Sequence, residues 1–281
     1  MEAGHDELTD DALAGPYRVF QRRRGHRYSL DDTVTARVAA QVRPDARSAL
    51  DLGTGLGSVL LMVAHKLPAA RLYGIEAQAE SFELLARNCE RNGLLGAQAR
   101  VTIARGDFRE PGCMAAVLRA MPAGVDLVTG TPPYQPPGTG TVSPDPQRAH
   151  ARVELRGGVE AYLQAAARVL APAGALVVCA DARTPERVER AAEGCALAPV
   201  ARLDVVPAAG KGALFSVWTL LPAAAAHAMT CVRAPDFVAR DAAGRRSAQA
   251  LALRRFFDLP VPEHEPASPQ LRARTQRARV E

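Results

Sequence analysis

An α/β fold is predicted for this chain: a seven-stranded, mostly parallel sheet with helices on both faces and an antiparallel hairpin at its C-terminal end. Two features of the 281 residues carry that expectation. From Ala46 onward, short apolar runs alternate with helical patterns, and strands separated by helices lie parallel. The last two apolar runs, VARLDVVP and ALFSVWTLL, are separated only by AAGKG. That spacer is too short for a helical crossover, so the two strands pair antiparallel.

The elements follow in order. SALDLG is the first strand, LLMVAHKL a helix, and RLYGIE the second strand. In ESFELLARNCERNG, Phe82, Leu85, Ala86 and Cys89 recur at three-and-four spacing and line one helical face, and Asn92-Gly93 supplies a left-handed stop. RVTIARGD and VDLVTG are the third and fourth strands. Residues 131–157, rich in Pro, Gly and Thr, form a loop whose length marks it as functional or disordered. The helix GVEAYLQAAARVL and the strand ALVVCA resume the pattern. Thr184-Pro185-Glu186 combines an N-cap, a first-turn proline and an early acid, which starts another helix.

Composition bounds the class. At 48% hydrophobic and 23% charged, the chain is globular rather than disordered throughout. Five scattered cysteines without a CxxC pair speak against a zinc site and a disulfide framework, so no metal is expected and a reducing, cytoplasmic setting fits. The start, MEAGHDELTDDALAG, lacks the apolar stretch of a signal peptide, and no run is long enough to cross a bilayer. Residues 1–16 are expected as an acidic flexible N-terminus, 17–258 as the folded domain, and 259–281, polar and Pro-rich, as a disordered tail.

Charge is unevenly placed although the net value is only +5. Arg18, Arg22, Arg23, Arg24 and Arg27 follow the early acids in a burst. Such clusters are the electrostatic footprint of phosphate-backbone binding, and they are also what a solvated basic face looks like. Lys66 and Lys211 are the only lysines, so the arginine excess is also consistent with biased codon usage.

DLGTGLG, Asp51 to Gly57, ends the first strand and opens a helix. Glycines are needed where backbone passes close under a ligand. A dinucleotide fingerprint would require glycine or alanine three residues after its second glycine, and that residue is Ser58. The pattern D-x-G-x-G-x-G is complete instead. With Glu76 ending the second strand and Gly106-Asp107-Phe108 following the third, it resembles the class I S-adenosylmethionine-dependent methyltransferases. That resemblance implies a Rossmann-like sheet and S-adenosylmethionine as cofactor, with Asp51, Gly53, Gly55 and Gly57 forming its loop. It further implies that Glu76 takes the ribose hydroxyls, Asp107 reaches the adenine amine and Phe108 flanks the ring.

GTPPYQPPG follows the fourth strand, and its paired prolines end the sheet and stiffen the backbone into a ledge carrying Tyr134. TPPY resembles the family's [DNS]-P-P-[YFW] motif for methylating planar amino or amide nitrogens. The resemblance implies that Thr131 and the Pro132 carbonyl accept the nitrogen's two N–H bonds, that Pro133 lies against the substrate, and that Tyr134 stacks on its plane. Positioning then carries the catalysis, without a general-base histidine. Thr131 departs from the motif: its hydroxyl accepts, but is shorter than an amide and also donates.

GHRYSLDDTVTA, SPDPQRAHAR and FVARDAAGRRSAQALALRRFF look like segments of the bacterial tRNA adenine-N6 methyltransferases that modify adenine 37 of valine tRNA. This likeness implies an RNA partner, with Arg22, Arg23, Arg24, Arg148, Arg152 and Arg156 on phosphates around an extruded adenine. It also implies an N-terminal segment that caps substrate and cofactor. Ser29-x-x-Asp32 is a capping-box-like helix start, and by family analogy that helix covers the cofactor's methionine end. Protein-glutamine methylation, small-molecule N-methylation and silent RNA binding are the alternatives; no membrane partner is expected, and a monomer is favoured.

Overall fold

The computed structural model describes residues 7–96, 99–227 and 229–261. An antiparallel ribbon opens the chain, β1 (Leu8–Ala14) and β2 (Tyr17–Arg22). Residues 8–14, expected as part of a flexible N-terminus, are therefore a strand. Leu13 and Ala14 turn inward and are fully buried, which ties the ribbon to the core. Residues 1–6 and all but the first three of the expected tail lie outside the described residues.

Helix α1 (Leu30–Val42) leads into the main sheet: β3 (Ser48–Leu52), β4 (Arg71–Glu76), β5 (Val101–Arg105), β6 (Val125–Gly130), β7 (Leu170–Asp181), β8 (Leu197–Val206), β9 (Phe215–Pro222) and β10 (Val232–Val238). The lateral order is β10-β8-β9-β7-β6-β3-β4-β5. All pairs are parallel except those of β9, which runs antiparallel to both β7 and β8. The seven expected strands and the hairpin are present, and β10 adds an eighth at the edge.

Seven further helices are α2 (Ser58–Lys66), α3 (Ala79–Arg91), α4 (Pro111–Ala120), α5 (Pro146–Arg152), α6 (Val159–Ala167), α7 (Pro185–Gly194) and α8 (Ala248–Phe256). Alternation along the strands builds two cores. Val177, Cys179, Phe215 and Val217 face the layer holding α1, α2, α3 and α8. Leu176, Val178, Trp218 and Leu220 face α4, α6 and α7. Both faces of the sheet are covered, as parallel sheets require. Among the described residues no helix is long and apolar enough to cross a membrane.

The chain runs β3-β4-β5 in one direction from the centre and β6-β7 in the other. Ligand sites of open α/β sheets lie outside the strand C-termini at such a reversal. The tips of β3, β4, β5 and β6 carry the glycine loop, Glu76, Asp107 and Thr131.

Candidate active site

A cleft opens over these strand tips. Gly53, Gly55, Glu76, Asp107, Phe108, Thr131 and Pro133 line it. Gly55 has φ +58°, and a Cβ there would meet no protein atom within 4 Å. The space it would fill is the cleft itself. Gly53, at φ +59°, is glycine for another reason, since its Cβ would lie 2.4 Å from the Tyr162 hydroxyl oxygen.

Asp51 and Gly57 do not line the cleft. Asp51 Oδ1 accepts from the Thr129 hydroxyl at 2.7 Å, and Oδ2 accepts from the Thr54 hydroxyl. Its task is to fasten the glycine loop to β6. Gly57 packs under Leu85 of α3.

Glu76 is buried. Its Oε2 accepts from Gly55 N–H at 2.8 Å and its Oε1 from Gln78 N–H at 2.6 Å. Burial raises its pKa despite those bonds. Asp107 is gripped by Arg109, with Nε 2.9 Å from Oδ1 and Nη2 2.6 Å from Oδ2, and this pairing holds its carboxyl below the usual range. Phe108 packs against Tyr162 of α6, ring centroids 4.6 Å apart at 63°. Arg156, expected on a phosphate, lines this cleft. There its charge favours the ionised forms of Glu76 and Asp107.

At the far end the ledge divides two spaces. Thr131 and Pro133 face the cleft, whereas Tyr134 lines a neighbouring groove of about 1170 Å³. His26 and Ala151 belong to both walls. Burial is the largest influence on His26 and lowers its pKa, with Asp31 opposing the shift and Arg152 adding to it. Pro132 lines a small cavity behind the ledge with Glu154 and Arg187. The ledge is tied to the end of α5: Gln135 N–H donates to Arg152 C=O at 3.1 Å, and Glu154 N–H to Gln135 C=O at 3.0 Å.

The Thr131 hydroxyl donates to Asp32 Oδ1 at 3.2 Å, and Ser29 N–H donates to Asp32 Oδ2 at 3.0 Å. Asp32, from the first turn of α1, is buried and lines the cleft. Burial, then the neighbouring Asp31, pushes its pKa to about 8. The sequence reads Asp32 as part of a capping-box-like helix start that, by family analogy, covers the cofactor's methionine end; its hydrogen bond to Thr131 is not among those expectations.

Arg23, Arg24, Arg148 and Arg152 line the groove with Tyr134. Arg23 also pairs with Glu7 at 3.0 Å. Arg22 is placed differently from its expected phosphate-binding position. It bridges Glu80 at 2.7 Å and Asp145 at 2.9 Å, and so ties β2 to α3 and the start of α5.

Buried carboxylates predict a pH dependence. Burial pushes Asp51 to about 6 and Asp32 to about 8. These two carboxyls therefore hold their protons to a higher pH in the folded chain than in the unfolded chain, and the stability they contribute is lost as pH rises through their folded values, with the lowered His26 and His150 opposing the trend. Urea unfolding should give a free energy about 2–4 kcal/mol lower at pH 8 than at pH 5. Asp51→Asn should flatten the acidic half of that window; an unchanged slope would contradict the assignment.

No protein-family model matches the chain. A release factor glutamine methyltransferase from Moorella thermoacetica is 34% identical over 134 residues, 46% of this chain and 44% of that protein. A 4-amino-L-phenylalanine/4-methylamino-L-phenylalanine methyltransferase from Streptomyces pristinaespiralis is 32% identical over 51% of this chain and 47% of its own. A tRNA1(Val) (adenine(37)-N6)-methyltransferase from Porphyromonas gingivalis is 30% identical over 46% and 48%. The chain thus spans about half the length of the curated relatives it matches. The crystal structure of a predicted O-methyltransferase from Agrobacterium tumefaciens superposes with TM-score 0.61 over 84% of this chain and all of that one, at 16% identity. This chain has the class I methyltransferase fold. In that fold the glycine loop, Glu76 and Asp107 sit at the tips of three neighbouring strands, the placement expected from their order in the sequence.

Proposed function

We propose that this chain is an S-adenosylmethionine-dependent N-methyltransferase whose acceptor is a planar exocyclic nitrogen, adenine N6 in RNA. The observation that carries the reading is the meeting of two spaces at one ledge. The cleft holds a carboxylate pair and an aromatic ring, and the groove holds Tyr134 among arginines. The relatives' names support the acceptor chemistry, since glutamine, 4-aminophenylalanine and adenine all bear an NH₂ conjugated to a carbonyl or ring.

The residues fit the donor. Gly55 leaves a cradle that any Cβ would fill, Glu76 suits the ribose hydroxyls, Asp107 the adenine amine, and Phe108 the face of the ring. When bound, S-adenosylmethionine supplies an electrophilic methyl group. Tyr134 holds the acceptor plane by stacking, worth about 1–3 kcal/mol. Thr131 and the Pro132 carbonyl fix the nitrogen's hydrogens, so that its lone pair is freed from conjugation. Arg23, Arg24, Arg148 and Arg152 neutralise phosphates flanking an extruded base.

Glutamine methylation is the second reading, favoured by the 34% identity to a release factor glutamine methyltransferase. Labelled S-adenosylmethionine supplied with unmodified tRNA, release factor and 4-aminophenylalanine separates them. N6-methyladenosine in digested tRNA is expected. Label confined to protein replaces RNA with glutamine, and no donor uptake by calorimetry ends the methyltransferase reading.

Thr131→Val should lower turnover roughly 10- to 100-fold, the value of a hydrogen bond to a charged group. Donor affinity should stay within about threefold of the parent. Unchanged turnover would show that the hydroxyl has no part in holding the acceptor.

A further inference from the structure

We propose that Asp32 is the carboxylate of the acceptor site, supplying from helix α1 what Thr131 lacks: it faces the amino nitrogen and takes the proton that the nitrogen loses on methylation. The proposal rests on the methyltransferase reading above. Motif residues of the Asn, Asp or Ser type reach the nitrogen from the ledge itself. Here a hydroxyl stands at that position, with the reach of Ser but shorter than Asn or Asp, and it donates to Asp32 Oδ1 at 3.2 Å. Thr131 therefore holds a carboxylate where the motif would place an amide or acid.

Three further observations support this role. Asp32 is only 6% exposed and lines the cleft beside Thr131 and Pro133. None of the ion pairs found among the described residues includes it. A buried ionised carboxylate without a cation is costly, so burial holds the resting group toward its neutral form until a positive charge arrives beside it. Its place in the first turn of α1 also favours the anion, because the helix N-terminus is electropositive. Burial, then the charges of Asp31 and Asp51, oppose ionisation, whereas an incoming cation restores it.

The chemistry balances. The nitrogen lone pair forms the new N–CH₃ bond as the C–S bond breaks, and the sulfonium becomes a neutral thioether. The nitrogen then carries four bonds and a positive charge. One N–H proton passes to Asp32, leaving neutral methylated product and a neutral carboxyl.

Calorimetry with two donor analogues tests this without an acceptor. S-adenosylhomocysteine lacks the methyl group, whereas sinefungin carries a primary amine where the methyl would be. The parent protein should bind sinefungin at least about tenfold more tightly, through attraction between ammonium and carboxylate. Asp32→Asn should erase that preference while keeping S-adenosylhomocysteine affinity within about threefold; Asp31→Asn should retain it. A preference preserved in Asp32→Asn overturns the proposal. Loss of S-adenosylhomocysteine binding in both Asp32→Asn and Asp32→Ser, with circular dichroism unchanged, also overturns it by assigning Asp32 to the donor. Failure of the parent protein to bind either analogue removes the methyltransferase reading, and this proposal with it.

Discussion

Gly55→Val is expected to abolish donor binding while leaving the chain folded. At φ +58° a β-branched residue is strained by about 1–3 kcal/mol, yet its Cβ would collide with no protein atom. The new methyl groups would instead occupy the cleft beside Glu76. Affinity for S-adenosylmethionine should fall at least about 100-fold, measured by calorimetry, with a modest loss in urea unfolding. Gly57→Val is the contrast: its Cβ would lie 2.8 Å from Leu85 Cδ1, so packing between the loop and α3 fails first. If Gly55→Val bound the donor normally, the cleft would not be the donor site.

Arg187→Ala is expected to weaken the fold and loosen the ledge. Arg187 forks onto Glu154 at 2.7 and 3.0 Å and onto Glu160 at 2.8 Å through both Nε and Nη2. Glu154 is nearly buried, and its N–H holds the Gln135 carbonyl one residue past Tyr134. Removing the cation leaves two carboxylates facing one another. With Arg187 itself 22% exposed, solvent offsets part of the cost, and a loss of about 2 kcal/mol in urea unfolding is expected. Turnover should fall about tenfold while donor affinity changes little, because the displaced element carries the acceptor. Arg187→Lys should recover part of the stability but not the fork geometry. Wild-type stability in Arg187→Ala would show that the network is incidental.

The main sheet was legible because its interior strands are apolar runs, and β3, β4, β6 and β7 are each closed by a glycine or an acid. β1, β2 and β10 were not. β10 reads VRAPDFV, largely exposed at an edge and interrupted by Pro235, and β1 reads LTDDALA, whose acids pair outward with Arg18 and Arg27. Neither has the apolar alternation that marks a half-buried strand. In the site, motif spacing located Gly53, Gly55, Glu76, Asp107, Phe108 and Thr131. The same motif also included Asp51 and Gly57, whose constraints come from packing inside the loop. His26 and Asp32, from the stretch leading into α1, and Tyr162, from α6, reach the cleft without a spacing that links them, so only the folded chain brings them together. The ion pairs of Arg22 were not legible because its partners, Glu80 and Asp145, lie far away in sequence.

The two amide bonds to Glu76 have a consequence for recognition. Gly55 and Gln78 fix both oxygens before any ligand arrives. The side chain's freedom was surrendered during folding, so docking need not surrender it again, a saving of about 0.5–1.5 kcal/mol. Since one of those amides belongs to the loop beneath the ligand, any displacement of that loop would also swing the carboxylate, and receptor floor and receptor wall would open as one.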